Sequence, residues 1–99
     1  MFVLELTYTA PLERVDAALQ EHVAWLKKEF AAGRFIAAGR KVPRDGGVIL
    51  ATGTDRAAVE QLVAEDPFSV AGVCTYRITE FAATTTAPAL ETYRETLQS

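Results

Sequence analysis

Alternation opens the chain. Over residues 2–9, Phe2, Leu4, Leu6 and Tyr8 fall on one side, and Val3, Glu5, Thr7 and Thr9 on the other. That period of two predicts a strand with one apolar and one mixed face. Pro11 then suits the first turn of a helix, where a missing N–H breaks no hydrogen bond. From Leu12 the period lengthens: Leu12, Val15, Leu19, His22, Leu26 and Phe30 recur every three or four positions. This is the stripe of an amphipathic helix. Glu13 and Asp16 near its start and Lys27 and Lys28 near its end complement the helix dipole. Gly33 supplies the residue that can turn left-handed and close it.

A second strand is predicted over residues 34–41, interrupted by Gly39, and a turn over Pro43-Arg44-Asp45-Gly46-Gly47. Residues 48–51 form a short apolar strand that Gly53 ends. Thr54 can cap a second helix with Ala57, Ala58, Leu62 and, less clearly, Val63 facing inward. Pro67 stops that helix by disfavouring helical geometry at Asp66. After Gly72, residues 73–81 alternate again, with Cys74, Tyr76 and Ile78 on one face and Thr75, Arg77 and Thr79 on the other. The remainder begins with a threonine run, and residues 88–97 predict a short peripheral helix carrying Leu90, Tyr93 and Leu97.

The order strand, helix, strand, strand, helix, strand predicts an α+β fold of ferredoxin-like βαββαβ type. Residues 1–82 form the domain and residues 83–99 a C-terminal tail. Both helices would cover one face of a four-stranded antiparallel sheet. On the other face, Val3, Thr7, Thr75 and Thr79 carry too little charge for a fully solvated surface, and Glu5 and Arg77 can pair across strands. A homodimer joined through the sheet faces is therefore expected. The competing arrangement is a monomer with its tail across that face.

The net charge is −3 and the basic residues are scattered, so the basic footprint that phosphate backbones require is missing. No nucleic-acid partner is expected. The single Cys74 excludes an intrachain disulfide, and its strand position predicts an inert thiol. The start, Met1-Phe2-Val3-Leu4-Glu5, lacks the basic segment and apolar run of a signal peptide. No stretch approaches the roughly 20 apolar residues of a membrane span. The expected compartment is the cytoplasm, with no membrane partner.

Candidate chemistry rests on two residues. His22 is the one histidine and lies on the apolar stripe of the first helix. Asp66 stands before a proline, at the end of the second helix, where a carboxylate meets the unfavourable end of the dipole. Each has an ordinary use, as a core imidazole bonded to a carbonyl and as a turn carboxylate. Brought together, they would make a general base with its orienting acid. Arg40 and Arg44 flank the hairpin and can hold an anionic substrate. Trp25 and Tyr76 can line a pocket, and Ser69 is a turn residue or a substrate contact. Gly39, Gly46 and Gly47 lack the context of a phosphate loop, and one histidine does not make a dedicated metal site.

An ordered set of motifs carries a resemblance. It comprises Glu21-His22-Val23-Ala24-Trp25-Leu26, Ala32-Gly33-Arg34-Phe35-Ile36-Ala37-Ala38-Gly39 and Pro43-Arg44-Asp45-Gly46-Gly47-Val48-Ile49-Leu50. Glu65-Asp66-Pro67-Phe68, Ala71-Gly72-Val73 and Tyr76-Arg77-Ile78-Thr79-Glu80-Phe81 complete it. In order and spacing the chain resembles the YciI-like (YCII-related) family of small bacterial proteins. The resemblance implies a dimeric α+β barrel and a pocket holding the first-helix histidine and the Asp-Pro-Phe aspartate, here His22 and Asp66. Relatives include a dehydrochlorinase of a chlorinated hydroxyquinol, and the fold is shared with muconolactone isomerases. Many relatives carry Arg three residues before the histidine, where this chain has Leu19, and Gly-Pro where it has Gly39-Arg40. The expected function is a cofactor-independent acid–base lyase or isomerase acting on a cyclic or aromatic molecule. The alternatives are a non-catalytic dimeric module that binds or regulates through a small molecule, and a purely structural role for both polar residues.

Overall fold

The computed structural model describes residues 1–97; the last two positions of the predicted tail, 98–99, lie outside the described residues. Four strands, β1 (Phe2–Tyr8), β2 (Phe35–Arg40), β3 (Gly46–Ala51) and β4 (Cys74–Glu80), form one antiparallel sheet in the order β2-β3-β1-β4. Helices α1 (Leu12–Ala31), α2 (Arg56–Ala64) and a single turn, α3 (Pro67–Val70), accompany it. This is the predicted α+β, ferredoxin-like arrangement. β1 lies inside the sheet, and its alternation has the expected consequence. Phe2, Leu4 and Leu6 are buried with Ile49 and Ala51 of β3, while Thr7 stays exposed. The register sets Glu5 opposite Arg77, as expected, but the ion pair that Glu5 makes is with Lys41, at 3.7 Å.

α1 has the predicted extent and closes at Gly33, whose φ is 78°. Arg34 N–H donates to the Glu29 carbonyl at 3.0 Å and Gly33 N–H to that of Phe30 at 3.1 Å, the double closure of a Schellman motif. Its buried stripe differs from the predicted one. Val15, Ala18, His22, Trp25 and Glu29 face the core, whereas Leu12 and Phe30 are 46% and 40% exposed. Arg34 folds back on Glu29 at 2.7 Å, which lets that carboxylate occupy an inward position beside Trp25 and His22 on the buried side.

Three local expectations need correction. Asp55, not Thr54, caps α2 by accepting from Ala58 N–H at 3.1 Å, and Val63 is buried as expected, but with Val59 rather than Ala57 and Ala58. Asp66 does not end a helix. It begins α3 as the N-cap, with Pro67 at the first helical position. The unfavourable dipole placement therefore does not arise. In the tail, a 3₁₀ segment covers Pro88–Tyr93 and leaves Leu97 beyond it, 69% exposed.

One irregularity shapes the region near the candidate site. Between Phe35 and Ala37 the pairing of β2 with β3 shifts by a residue. Phe35 opposes Ala51 on the core face, and after the bulge Ala38 and Arg40 oppose Ile49 and Gly47 on that same face. Without the bulge Arg40 would point to the opposite face, because side chains alternate along a strand. Gly46 sits against β1 so closely that a Cβ there would lie 1.9 Å from the Leu6 carbonyl oxygen. No other residue fits without moving one of the two strands.

Candidate active site

α1 brings His22 over the sheet, and the turn after α2 brings Asp66 to meet it. His22 Nδ1 lies 2.7 Å from Asp66 Oδ1, and both residues are buried, Asp66 completely. The same Oδ1 accepts the Phe68 N–H at 2.9 Å, the capping bond of α3. Oδ2 accepts the hydroxyl of Tyr76 on β4. The Phe68 N–H, the Tyr76 hydroxyl and the His22 ring nitrogen thus converge on one dry carboxyl group, whose oxygens are partnered rather than bare. The Asp-Pro-Phe sequence explains the geometry locally. Asp caps, Pro fixes the first helical φ, and Phe donates the capped N–H.

The imidazole is fixed in plane as well as in direction. The ring of Phe68 stacks on it with centroids 3.9 Å apart and planes 8° from parallel. Phe68 in turn meets Tyr8 edge-on at 6.0 Å and is 1% exposed. With Nδ1 held by Asp66, Nε2 forms no hydrogen bond among the described residues. His22 lines a cavity of about 340 Å³ between α1 and the β1–β3–β2 part of the sheet. Its walls are mainly apolar: Leu6, Leu19, Val23, Leu26, Phe30, Ala38, Ile49 and Phe68, with Gly46 and Gly47 forming part of the floor. A ring nitrogen without a partner beside an apolar cavity can accept a proton from a bound molecule.

The surroundings of Asp66 also set the behaviour of its neighbours. Burial, and after it the Asp66 charge, push the Tyr76 hydroxyl far above its ordinary range, so Tyr76 keeps its proton and donates it in the hydrogen bond to Asp66. The same two causes raise the Cys74 thiol to about 11. A thiol that stays protonated is a poor nucleophile, in keeping with the inert role expected for it.

The remaining sequence-derived candidates are dispersed. Arg40 lines the cavity. Arg44 instead holds Asp16 at 2.5 Å and lies 5.8 Å over the Tyr8 ring. Trp25 packs edge-on against Phe35 at 5.3 Å, within the core and off the cavity wall. Ser69 donates its hydroxyl to the Val63 carbonyl at 2.7 Å, joining α3 to α2. Tyr76 reaches Asp66 from behind rather than the cavity. Sequence reasoning passed over Phe68 as a partner of the imidazole, although it stands two residues after Asp66. It also passed over Lys27, which lines the cavity from α1. A larger hollow, of about 510 Å³, lies between the end of α1 and α2, but its buried acid Glu29 is already paired with Arg34.

Comparison with known proteins fits this frame. Residues 1–82 match the YCII-related domain. The chain belongs to the YCII-related family. A solved structure similar to this YCII-related protein is 5-chloro-2-hydroxyhydroquinone dehydrochlorinase (TftG) from Burkholderia phenoliruptrix AC1100, in complex with 2,5-dihydroxybenzoquinone. The two share 19% identity with a TM-score of 0.65, over 82% of this chain and 93% of that one, and so share a fold. No curated protein matches the chain. In this YCII-related protein no described helix is long and apolar enough to cross a membrane.

Proposed function

We propose that this protein is a cofactor-independent acid–base enzyme of lyase or isomerase type, acting on a cyclic or aromatic small molecule. The observation that carries the reading is the 2.7 Å contact of His22 Nδ1 with Asp66 Oδ1 beside an apolar cavity. Asp66 accepts a hydrogen bond from the Nδ1–H, which leaves the Nε2 lone pair as the base. Nε2 takes a proton from an acidic carbon or hydroxyl of the substrate, and the electron pair moves into the ring or its carbonyl. In elimination that pair then expels a leaving group as an anion; in isomerisation the imidazolium returns the proton at another atom. Throughout, the buried carboxylate offsets the charge that develops on the imidazole. The dehydrochlorinase whose fold is shared performs chemistry of this class on a hydroxylated ring, which favours the same reading here.

The test is a thermal-shift screen of the protein against cyclic and aromatic metabolites, 2,5-dihydroxybenzoquinone among them, followed by product analysis for each hit. Specific ligands raise Tm by mass action. The expected result is a ligand that is converted by the native protein and bound but left unchanged by His22→Ala. Conversion by His22→Ala at the native rate refutes the reading. Ligands that bind and never change support a non-catalytic binding module instead.

We further propose that two copies associate through the open sheet faces. Val3, Val48 and Leu50 lie on that face among threonines, with the register placing Val3 opposite Leu50 and Thr79. A two-fold pairing would bury this patch. Leu50→Glu should shift the sedimentation equilibrium from dimer to monomer; a monomeric native protein contradicts the proposal.

A further inference from the structure

We infer that Lys27 and Arg40 form a two-sided anchor for an oxyanion carried on a single-ring substrate. The inference rests on the acid–base reading for the cavity's purpose and adds the substrate's charge and size.

Lys27 and Arg40 line the cavity from opposite walls, one on α1 and one on β2. Apart from His22, they are the only charged residues among those lining it, and no carboxylate does so. Arg34, Arg44, Arg56 and Lys41 are paired with Glu29, Asp16, Glu60 and Glu5, while the other cations without an ion pair among the described residues, Arg14, Lys28, Arg77 and Arg94, do not line this cavity. Lys27 and Arg40 make no ion pair or hydrogen bond among the described residues. Arg40 owes its orientation to the bulge after Phe35, which places it on the same face as Gly47 and Ile49. An irregularity of the strand thus delivers an unpaired guanidinium to an otherwise apolar cavity.

An apolar cavity with cations on two walls and no acid favours a ligand that is apolar over most of its surface and anionic at one edge. A volume of about 340 Å³ suits one ring and its substituents. A guanidinium can hold a carboxylate or ring-borne oxyanion through two parallel hydrogen bonds, with the ammonium as a point charge opposite. The same cations would favour the electron-rich intermediate formed when His22 removes a proton. Negative charge would build on the ring oxygen that they face.

The test uses salicylate and its neutral amide, salicylamide, as probes. The chain has one histidine, so the imidazole Hε1 signal in proton NMR reports on the cavity without overlap. Salicylate should shift that signal and bind at least about tenfold more tightly than salicylamide, a preference that added salt reduces. Arg40→Gln and Lys27→Gln replace exposed side chains, and each should bring salicylate close to the affinity of salicylamide at unchanged Tm. Equal affinity of the two probes, failure of salicylate to move the signal, or native affinity in both variants overturns the inference. The acid–base reading is judged separately, by turnover in His22→Ala.

Discussion

Asp66→Asn should lower kcat by roughly 10²–10⁴-fold, the range that general acid–base catalysis supplies, with KM little changed. The geometry makes this substitution unusually informative. Oδ1 serves both His22 and the Phe68 N–H, whereas Oδ2 serves only Tyr76. An asparagine can therefore keep its carbonyl at the Oδ1 position, where both donors remain satisfied. Its NH₂ then faces Tyr76, whose hydroxyl can turn and accept. The imidazole stays in place while the negative charge disappears. Substrate binding would persist, and the step that creates an imidazolium in a dry site would lose its compensating carboxylate. Steady-state kinetics on whichever substrate the screen identifies reads this directly. A kcat within about threefold of native would show that the charge of Asp66 contributes little to the proton-transfer step.

Phe68→Ala should cost about 3–5 kcal/mol of folding stability, the usual penalty for truncating a fully buried aromatic side chain. Phe68 is buried between His22 and Tyr8, and its N–H completes the cap on Asp66. Truncation opens a cavity under the imidazole and releases its plane. Phe68→Leu serves as the control. It keeps most of the apolar volume at a cost of about 1.5 kcal/mol or less, but it removes the flat surface against the imidazole. Urea denaturation should separate the two variants clearly. A loss below about 1 kcal/mol for Phe68→Ala would mean that the core collapses easily there and that the stack holds nothing in place.

Most of the frame was legible in the sequence because period and punctuation agreed. The alternation of β1, the three-to-four spacing of α1, Gly33 and the Asp-Pro step all lie where local chemistry predicts. His22 and Asp66 could be singled out for similar reasons: one is the only imidazole and the other precedes a proline. Their approach could not be read, because it depends on how far the α2–α3 junction carries Asp66 towards α1. What stayed hidden has physical causes. The bulge after Phe35 adds one unpaired residue to β2 and leaves no compositional mark, yet it decides which way Arg40 points. The burial of Glu29 depends on Arg34 folding back from beyond the helix end, so hydrophobic spacing alone misplaced the stripe. Thr54 and Asp55 are both good caps, and only the packing of Val59 and Val63 selects the second. Tyr76 was placed on the inner face of β4 correctly, but its bond to Asp66 is a tertiary fact.

The proton on His22 is the feature on which everything chemical depends. Nitrogen-15 NMR of the ring, at a pH where the imidazole is neutral, identifies which nitrogen carries it. The expected result is a protonated Nδ1 donating to an ionised Asp66, with Nε2 bare and turned to accept. A ring protonated at Nε2, its Nδ1 taking a hydrogen bond from a neutral Asp66 carboxyl, would leave no base beside the cavity and contradict the mechanism.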